Sequence, residues 1–257
     1  MARKKGIYER FFKRVIDFTL SFIAIIFLSP IFIIVYVLSL IFLHSNPIFK
    51  QYRPGKDGKF FVLYKFKSMT DKKDENGNYL PDKDRITLWG KFIRKTSLDE
   101  LPQLFNILRG DMAIIGPRPR IIEECIFLDS EHQDRFKVRP GITGWAQVNG
   151  RNSIRFDKVV EFDKEYVDNL SFAFDLKIFF KTIGYVFKRK DITQEGTVSN
   201  EFHGDYLLRT GQITQEYYDQ KISQARQMVN EVKYSKMKTK QKHLQDDIDY
   251  VEKEAGL

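Results

Sequence analysis

Two adjacent carboxylates, Asp99 and Glu100, stand in the stretch Thr96 to Arg109, TSLDELPQLFNILR. Leu101, Leu104, Phe105 and Leu108 recur at helical spacing, so one face of this stretch is buried, and Gly110 is a stop signal. Pro102 has no N–H and is harmless only in a first helical turn, which places the helix N-terminus near Ser97 to Glu100. There the helix dipole keeps a carboxylate ionised, and free backbone N–H groups can receive phosphate oxygens. Two uses are open. The acids are caps, with Asp99 as N-cap or Ser97-x-x-Glu100 as a capping box, or they are a nucleophile and its metal or proton partner.

Nearby residues favour phosphate chemistry. Gly116-Pro117-Arg118-Pro119-Arg120 is a stiff loop presenting two guanidinium forks, the side chain best suited to bidentate phosphate binding. Arg139 to Arg151, RPGITGWAQVNGR, is glycine-rich yet carries a tryptophan, amides and arginines. It suits a loop that approaches a ligand closely, or a hairpin turning at Asn149-Gly150. Glu161 to Asp175 supplies Asp163, Asp168 and Asp175 around an aromatic stripe, acids that by themselves read equally as solvated or capping groups.

The element that positions this chemistry is apolar. From Phe18 to Leu43, FTLSFIAIIFLSPIFIIVYVLSLIFL, no residue is charged for about 26 positions, which as a straight helix reaches roughly 39 Å against a hydrocarbon core of ~30 Å. It is too long for a signal peptide and lacks a small-residue cleavage site, so it is expected to be retained in a membrane. Ser29-Pro30 divides it into limbs too short to cross alone, since Pro30 removes an N–H and crowds the carbonyl of Ile26. A Pro-kinked single span is one reading. The flanks favour another: Arg3, Lys4, Lys5, Arg10, Lys13 and Arg14 precede the run, and Lys50, Arg53, Lys56 and Lys59 follow it. A spanning helix has unequal cationic flanks, so two rich flanks predict a re-entrant V that enters and leaves on the cytoplasmic face.

The averages hide this. Of 257 residues 43 are Lys or Arg and 34 Asp or Glu, a net charge of +9, with 42% hydrophobic and 30% charged residues. These values exclude a polytopic membrane protein and wholesale disorder. Cys125 is the single cysteine, so no intramolecular disulfide forms, and no Cys/His cluster has zinc-ligand spacing. We expect three regions: an anchor over 1–47, a catalytic region over 48–192 with a strand at Phe60 to Phe66 and a helix at Leu88 to Arg94, and a helical extension over 193–257. In the extension Tyr218, Ile222, Ala225, Val229 and Val232 form a heptad-like stripe that suits docking on its own domain, homo-oligomerisation or binding of a partner.

From about Tyr8 to Ile192 the chain resembles the bacterial sugar transferase family, the small monotopic phosphoglycosyl transferases. The residues carrying the likeness are the basic N-terminus with Ser29-Pro30, KQYRPGKDGKFFVLYKFKSM, TSLDELPQLFNILRGDMAIIGPRPR, VRPGITGWAQVNGRN and YVDNLSFAFDLKIFF. The resemblance implies an α+β, predominantly helical, monotopic protein with a re-entrant helix-break-helix and a catalytic domain on the cytoplasmic face of the bacterial inner membrane. It implies Mg²⁺, a UDP-sugar donor and undecaprenyl phosphate as acceptor, in a two-step transfer. Asp99 would attack the β-phosphate and release UMP, and the phosphosugar-aspartyl intermediate would pass its sugar-phosphate to the lipid. Glu100 would assist as base or help Asp99 hold the metal. Lys65 and Arg118 match basic positions that hold phosphate, Arg139, Asn149 and Arg151 fall in the glycine-rich motif expected to bind the nucleotide-sugar, and Asp163 and Asp175 match acidic positions near the active site. Lys67 replaces an arginine of the family pattern, and Arg120 stands where many relatives are apolar.

The surplus positive charge then serves phosphates of the donor, the carrier and anionic lipids of the cytoplasmic leaflet, and no nucleic-acid module is recognisable. Two other readings differ in product or partner: a membrane-associated glycosyltransferase releasing UDP, and a non-enzymatic membrane adaptor.

Overall fold

The uncharged run forms one helix, α1 (Lys13–Leu43), preceded by a π-helical turn, Tyr8–Phe12. Among the residues that the computed structural model describes (6–129, 132–150, 154–188 and 202–255, apart from the side chains of 186–188 and 239–255), it is the one helix long and apolar enough to cross a membrane. The expected break at Ser29-Pro30 is not a break in the helical backbone. The physical reason is local. Pro30 cannot donate to the carbonyl of Ile26, and the Ser29 hydroxyl donates to it instead at 2.8 Å, a repair that membrane helices tolerate well.

The amphipathicity of α1 is inverted. Its buried positions step by four residues, Lys13, Asp17 and Ser21 in the first limb and Val35, Ser39 and Leu43 in the second, so much of the polar content faces protein. Outward stand Phe22, Ile26, Phe27, Ile33 and Ile34, with Phe27 78% exposed. Both limbs rest on the same body. Arg14 donates to the carbonyls of Ile107 (2.5 Å) and Leu108 (2.7 Å), and Asp17 accepts from the N–H of Ile114 at 3.0 Å. In the second limb Phe32 packs on Phe66 and Phe105, and Ser39 accepts from the indole N–H of Trp89 at 2.9 Å.

The chain divides into two units, Met1–Arg120 with Leu128–Glu201, and Ile121–Phe127 with Phe202–Leu257. In the first, β1 (Ile48–Pro54) and β2 (Phe60–Phe66) pair antiparallel from Ile48↔Phe66 to Pro54↔Phe60. The turn between them uses Asp57 and Gly58, both at positive φ. Next come α2 (Leu88–Lys95), N-capped by Thr87, whose hydroxyl accepts from the N–H of Gly90, and α3 (Gln103–Arg109), stopped by Gly110 at φ +89. Strands β3 (Ala113–Ile115) and β4 (Gly141–Thr143) pair in parallel, and α4 (Phe156–Asp168) and α5 (Phe172–Lys188) follow. The architecture is α+β with helices predominating. In place of a hairpin at Asn149-Gly150, Gln147–Asn149 is a 3₁₀ turn, because the preceding segment is used as β4 beside β3.

In the second unit α6 (His203–Arg209) and α7 (Gln215–Ala255) pack with the turn Ile122–Cys125. Tyr218, from the heptad-like stripe, stacks on Phe127 and donates to Asp205 at 2.6 Å, and Ala225 is fully buried. The start of the stripe is thus spent inside its own unit.

Candidate functional site

The dyad lies on a 3₁₀ turn, Leu98–Glu100, that continues through right-handed Leu101 and Pro102 into α3. Ser97 ahead of it is left-handed (φ 57) and its side chain caps nothing, so the capping-box reading of Ser97 and Glu100 is not what the structure adopts. Glu100 turns away from its own helix end toward two cations. Its Oε1 accepts from Lys65 Nζ at 2.8 Å and from Arg118 Nη2 at 2.5 Å, with Arg118 Nη1 3.4 Å from Oε2.

Asp99, one residue earlier, is buried, and its carboxylate has no hydrogen-bond partner among the described residues. Burial pushes its pKa up and Glu100 adds to that, while Lys65, Arg94 and Arg118 pull it down. Glu100 goes the other way: burial would raise it, but Arg118 and Lys65 overcome burial and hold it at about 2. Two neighbouring acids are therefore differentiated by their surroundings, one clamped and anionic, the other unengaged within the field of three basic side chains.

The clamp has a pH signature. A carboxylate held below its unfolded value stabilises the fold above the ordinary carboxylate range and loses that contribution as pH falls through its folded value. Glu100 is expected to contribute about 3 kcal/mol at pH 7, lost between about pH 5 and 2. Unfolding titrations across that range should show a flattened acid limb in Glu100→Gln.

Three backbone devices bring these groups together. Lys65 is held opposite Glu100 by fully buried Asn106 on α3, which accepts from the N–H of Tyr64 (3.1 Å) and donates to the carbonyl of Val62 (2.6 Å). Replacing Asn106 by Leu orphans both strand groups and is expected to lower stability by about 2–3 kcal/mol, measured by chemical denaturation. The Arg118 loop is held by glycine-on-glycine crossing: the N–H of Gly116 donates to the carbonyl of Thr143 and that of Gly141 to Pro117. A Cβ on Gly141 would lie 2.1 Å from the nitrogen of Gly116, and one on Gly144 2.1 Å from its oxygen, so this approach requires glycine. Third, Arg135 donates to the carbonyl of Arg118 at 2.6 Å and faces Asp163 at 3.2 Å, both side chains almost wholly buried. Arg118, Arg120 and Arg135 also line one small recess beside Pro54 and Gly55.

Of the residues singled out in the sequence, Asp99, Glu100, Lys65 and Arg118 converge, and Asp163 is linked to them through Arg135. Others serve the frame. Arg139 donates to the carbonyl of Gly110 at 2.8 Å, and Asn149 donates to the carbonyl of Trp145 and accepts from Lys181. Asp175 binds Lys13 Nζ (2.6 Å) and the hydroxyls of Tyr8 (2.7 Å) and Tyr166 (2.8 Å), pinning the start of the apolar helix to α5. Lys67 pairs with Asp71. Arg151 lies outside the described residues. Of three further residues that position or charge the site, Arg94, Asn106 and Arg135, only Asn106 carries a local sequence signal, a polar residue within the apolar helix LFNIL.

Among the described residues no group of three His, Cys, Asp or Glu side chains is placed to hold a metal ion. The dyad still offers hard oxygen, from Asp99 and from Glu100 Oε2, whose nearest donor is at 3.4 Å. That fits Mg²⁺, which takes one or two carboxylates with substrate phosphates and water.

Residues 8–189 match the model of the family described as bacterial sugar transferase. The chain is 44% identical over 189 residues to the uncharacterized sugar transferase EpsL of Bacillus subtilis, covering 74% of this chain and 94% of that one. It is 39% identical over 199 residues to the undecaprenyl-phosphate galactose phosphotransferase of Salmonella typhimurium, and 39% over 194 residues to the UDP-glucose:undecaprenyl-phosphate glucose-1-phosphate transferase of Escherichia coli. Each of these two matches covers 70% of this chain but 41% of the longer relative. The chain belongs to the bacterial sugar transferase family.

Proposed function

We infer that this enzyme transfers a sugar 1-phosphate from a UDP-sugar to undecaprenyl phosphate, initiating assembly of a surface polysaccharide or other glycoconjugate. The observation that carries the mechanism is the split between Asp99, unengaged, and Glu100, clamped by Lys65 and Arg118. A carboxylate oxygen of Asp99 attacks the β-phosphorus of the donor. The bond from that phosphorus to the bridging oxygen breaks, and UMP leaves with the oxygen. An oxygen of the acceptor phosphate then attacks the same phosphorus, the acyl-phosphate bond breaks, Asp99 is regenerated, and the product is a polyprenyl diphosphate sugar.

Both steps bring anions together, so preformed positive charge supplies much of the rate, each such donor being worth about 10²–10³-fold. Lys65 and Arg118 provide it, and Arg94 adds to the field around Asp99. Mg²⁺ held by the dyad together with donor phosphate oxygens would neutralise further charge.

The inverted face of α1 supports membrane residence, and the packing of both its limbs on one body supports a re-entrant topology on the cytoplasmic face, because one body cannot lie on both sides of a bilayer. Cysteines placed at Gly6 and Lys56 in a Cys125→Ser background should label from the same side, and opposite-side labelling would refute it. For the reaction, the purified chain in nanodiscs with a panel of UDP-sugars and undecaprenyl phosphate should release UMP. Release of UDP would mean that only the sugar moves.

A further inference from the structure

An open apolar groove of about 420 Å³ starts at Pro102, two residues after the dyad in the chain, and takes no part in the chemistry described so far. Its floor is α3, through Pro102, Phe105 and Arg109; one wall is Phe66 of β2, and the other is the second limb of α1, through Phe32 and Ile33. From Leu98 to Arg109 the backbone is right-handed throughout. Asp99, Pro102, Phe105 and Arg109 follow at steps of three, three and four and so form one stripe. The groove thus begins one turn from the nucleophile and follows the same face for about 10 Å, from Pro102 to Arg109. Ile33 and Phe105 on its rim are 64% and 41% exposed, continuous with the apolar outer face of α1.

Resting on the function inferred above, we propose that this groove seats the first isoprene units of the polyprenyl phosphate acceptor, with its phosphate at the dyad. Only one of the two substrates has an apolar part, and the groove opens to the same medium as the helix that would lie in the bilayer. Taking about 30 Å³ per carbon, the volume of a water molecule in the liquid, the groove holds roughly 14 carbons, close to three isoprene units. Arg109 closes the far end: its guanidinium lies 5.1 Å from the Tyr64 ring centroid and donates to that hydroxyl at 2.7 Å. A chain longer than three units turns out past α1 into the lipid.

The test uses prenyl phosphates of one to five units with the full chain in nanodiscs. Burying successive units should lower the acceptor KM at least tenfold per unit up to the third, after which it levels. Ile33→Trp, at an exposed position, should fill the groove and raise KM at least tenfold for three-unit and longer acceptors, leaving the one-unit acceptor and the acceptor-free burst of UMP unchanged. Equilibrium binding of a fluorescent three-unit prenyl phosphate, which needs no turnover, should weaken by the same factor. Absence of the UMP burst would sink the reaction and not the groove. Unchanged binding in Ile33→Trp, a KM indifferent to the first three units, or equal displacement of the probe by phosphatidylglycerol would overturn the groove assignment.

Discussion

Asp99→Asn is expected to abolish turnover, by 10³-fold or more, and to leave the fold intact. An amide of the same shape cannot form the acyl phosphate, so the first step has no nucleophile. The side chain is buried and makes no hydrogen bond among the described residues, so the substitution removes no partner. It also removes a carboxylate whose ionisation burial and Glu100 both oppose, so the melting temperature should hold or rise slightly. Intact-mass measurement of the wild type with UDP-sugar and no acceptor should reveal an adduct of one sugar phosphate, with one equivalent of UMP released. Asp99→Asn should give neither. If it still releases the equivalent of UMP, Glu100 is the nucleophile, and the clamp by Lys65 and Arg118 would then be holding the attacking group itself.

What could be foreseen in the residues follows the range of the physics involved. The apolar period of LPQLFNIL, the proline after the dyad and Gly110 are local signals, and each corresponds to a feature of α3. The strand at Phe60 to Phe66 was legible for the same reason. The partners of the acids were not. Whether Glu100 caps its own helix or reaches Lys65 and Arg118 depends on an α3 to β2 docking fixed by Asn106, 42 residues from Tyr64 and 44 from Val62. Asp163 and Asp175 stand in a motif that the resemblance associates with the active site, and their partners lie far off in the chain: Asp163 faces Arg135, and Asp175 ties down Lys13, 162 positions earlier. Lys13 and Arg14, counted among the cationic flank, both bind the body on which the helix rests, which a charge count cannot reveal. The groove could not be seen at all, since its lining comes from four separate stretches.

The second large effect is expected at Arg135, which touches none of the reacting groups directly. Its guanidinium donates to the carbonyl of Arg118 and pairs as an ion with the carboxylate of Asp163 in a buried place, and so ties α4 to the loop that carries the phosphate-binding fork. Arg135→Met removes the stronger of the two cations acting on buried Asp163 and leaves it with Arg120 alone, a change that costs up to about 3–5 kcal/mol. For a unit of this size that lowers Tm by roughly 10 °C. Loss of activity in this variant would say nothing about positioning, since it could follow from unfolding alone. Arg135→Met combined with Asp163→Leu removes the orphaned charge as well, and replacing both members of such a pair by apolar groups is often neutral. The double variant should therefore recover most of the melting temperature. It still lacks the donor to the carbonyl of Arg118, so the Arg118 fork drifts from Glu100, and a displacement of an ångström at a positioning group is worth about 10²-fold in rate. Arg135→Lys keeps the charge but loses the rigid guanidinium whose Nη2 meets both the Arg118 carbonyl and Asp163, and it should fall between the wild type and the double variant in kcat while melting near the wild type. Recovery of kcat together with stability in the double variant would show that Arg135 and Asp163 only hold the fold, and that Arg118 is placed by its glycine crossing alone.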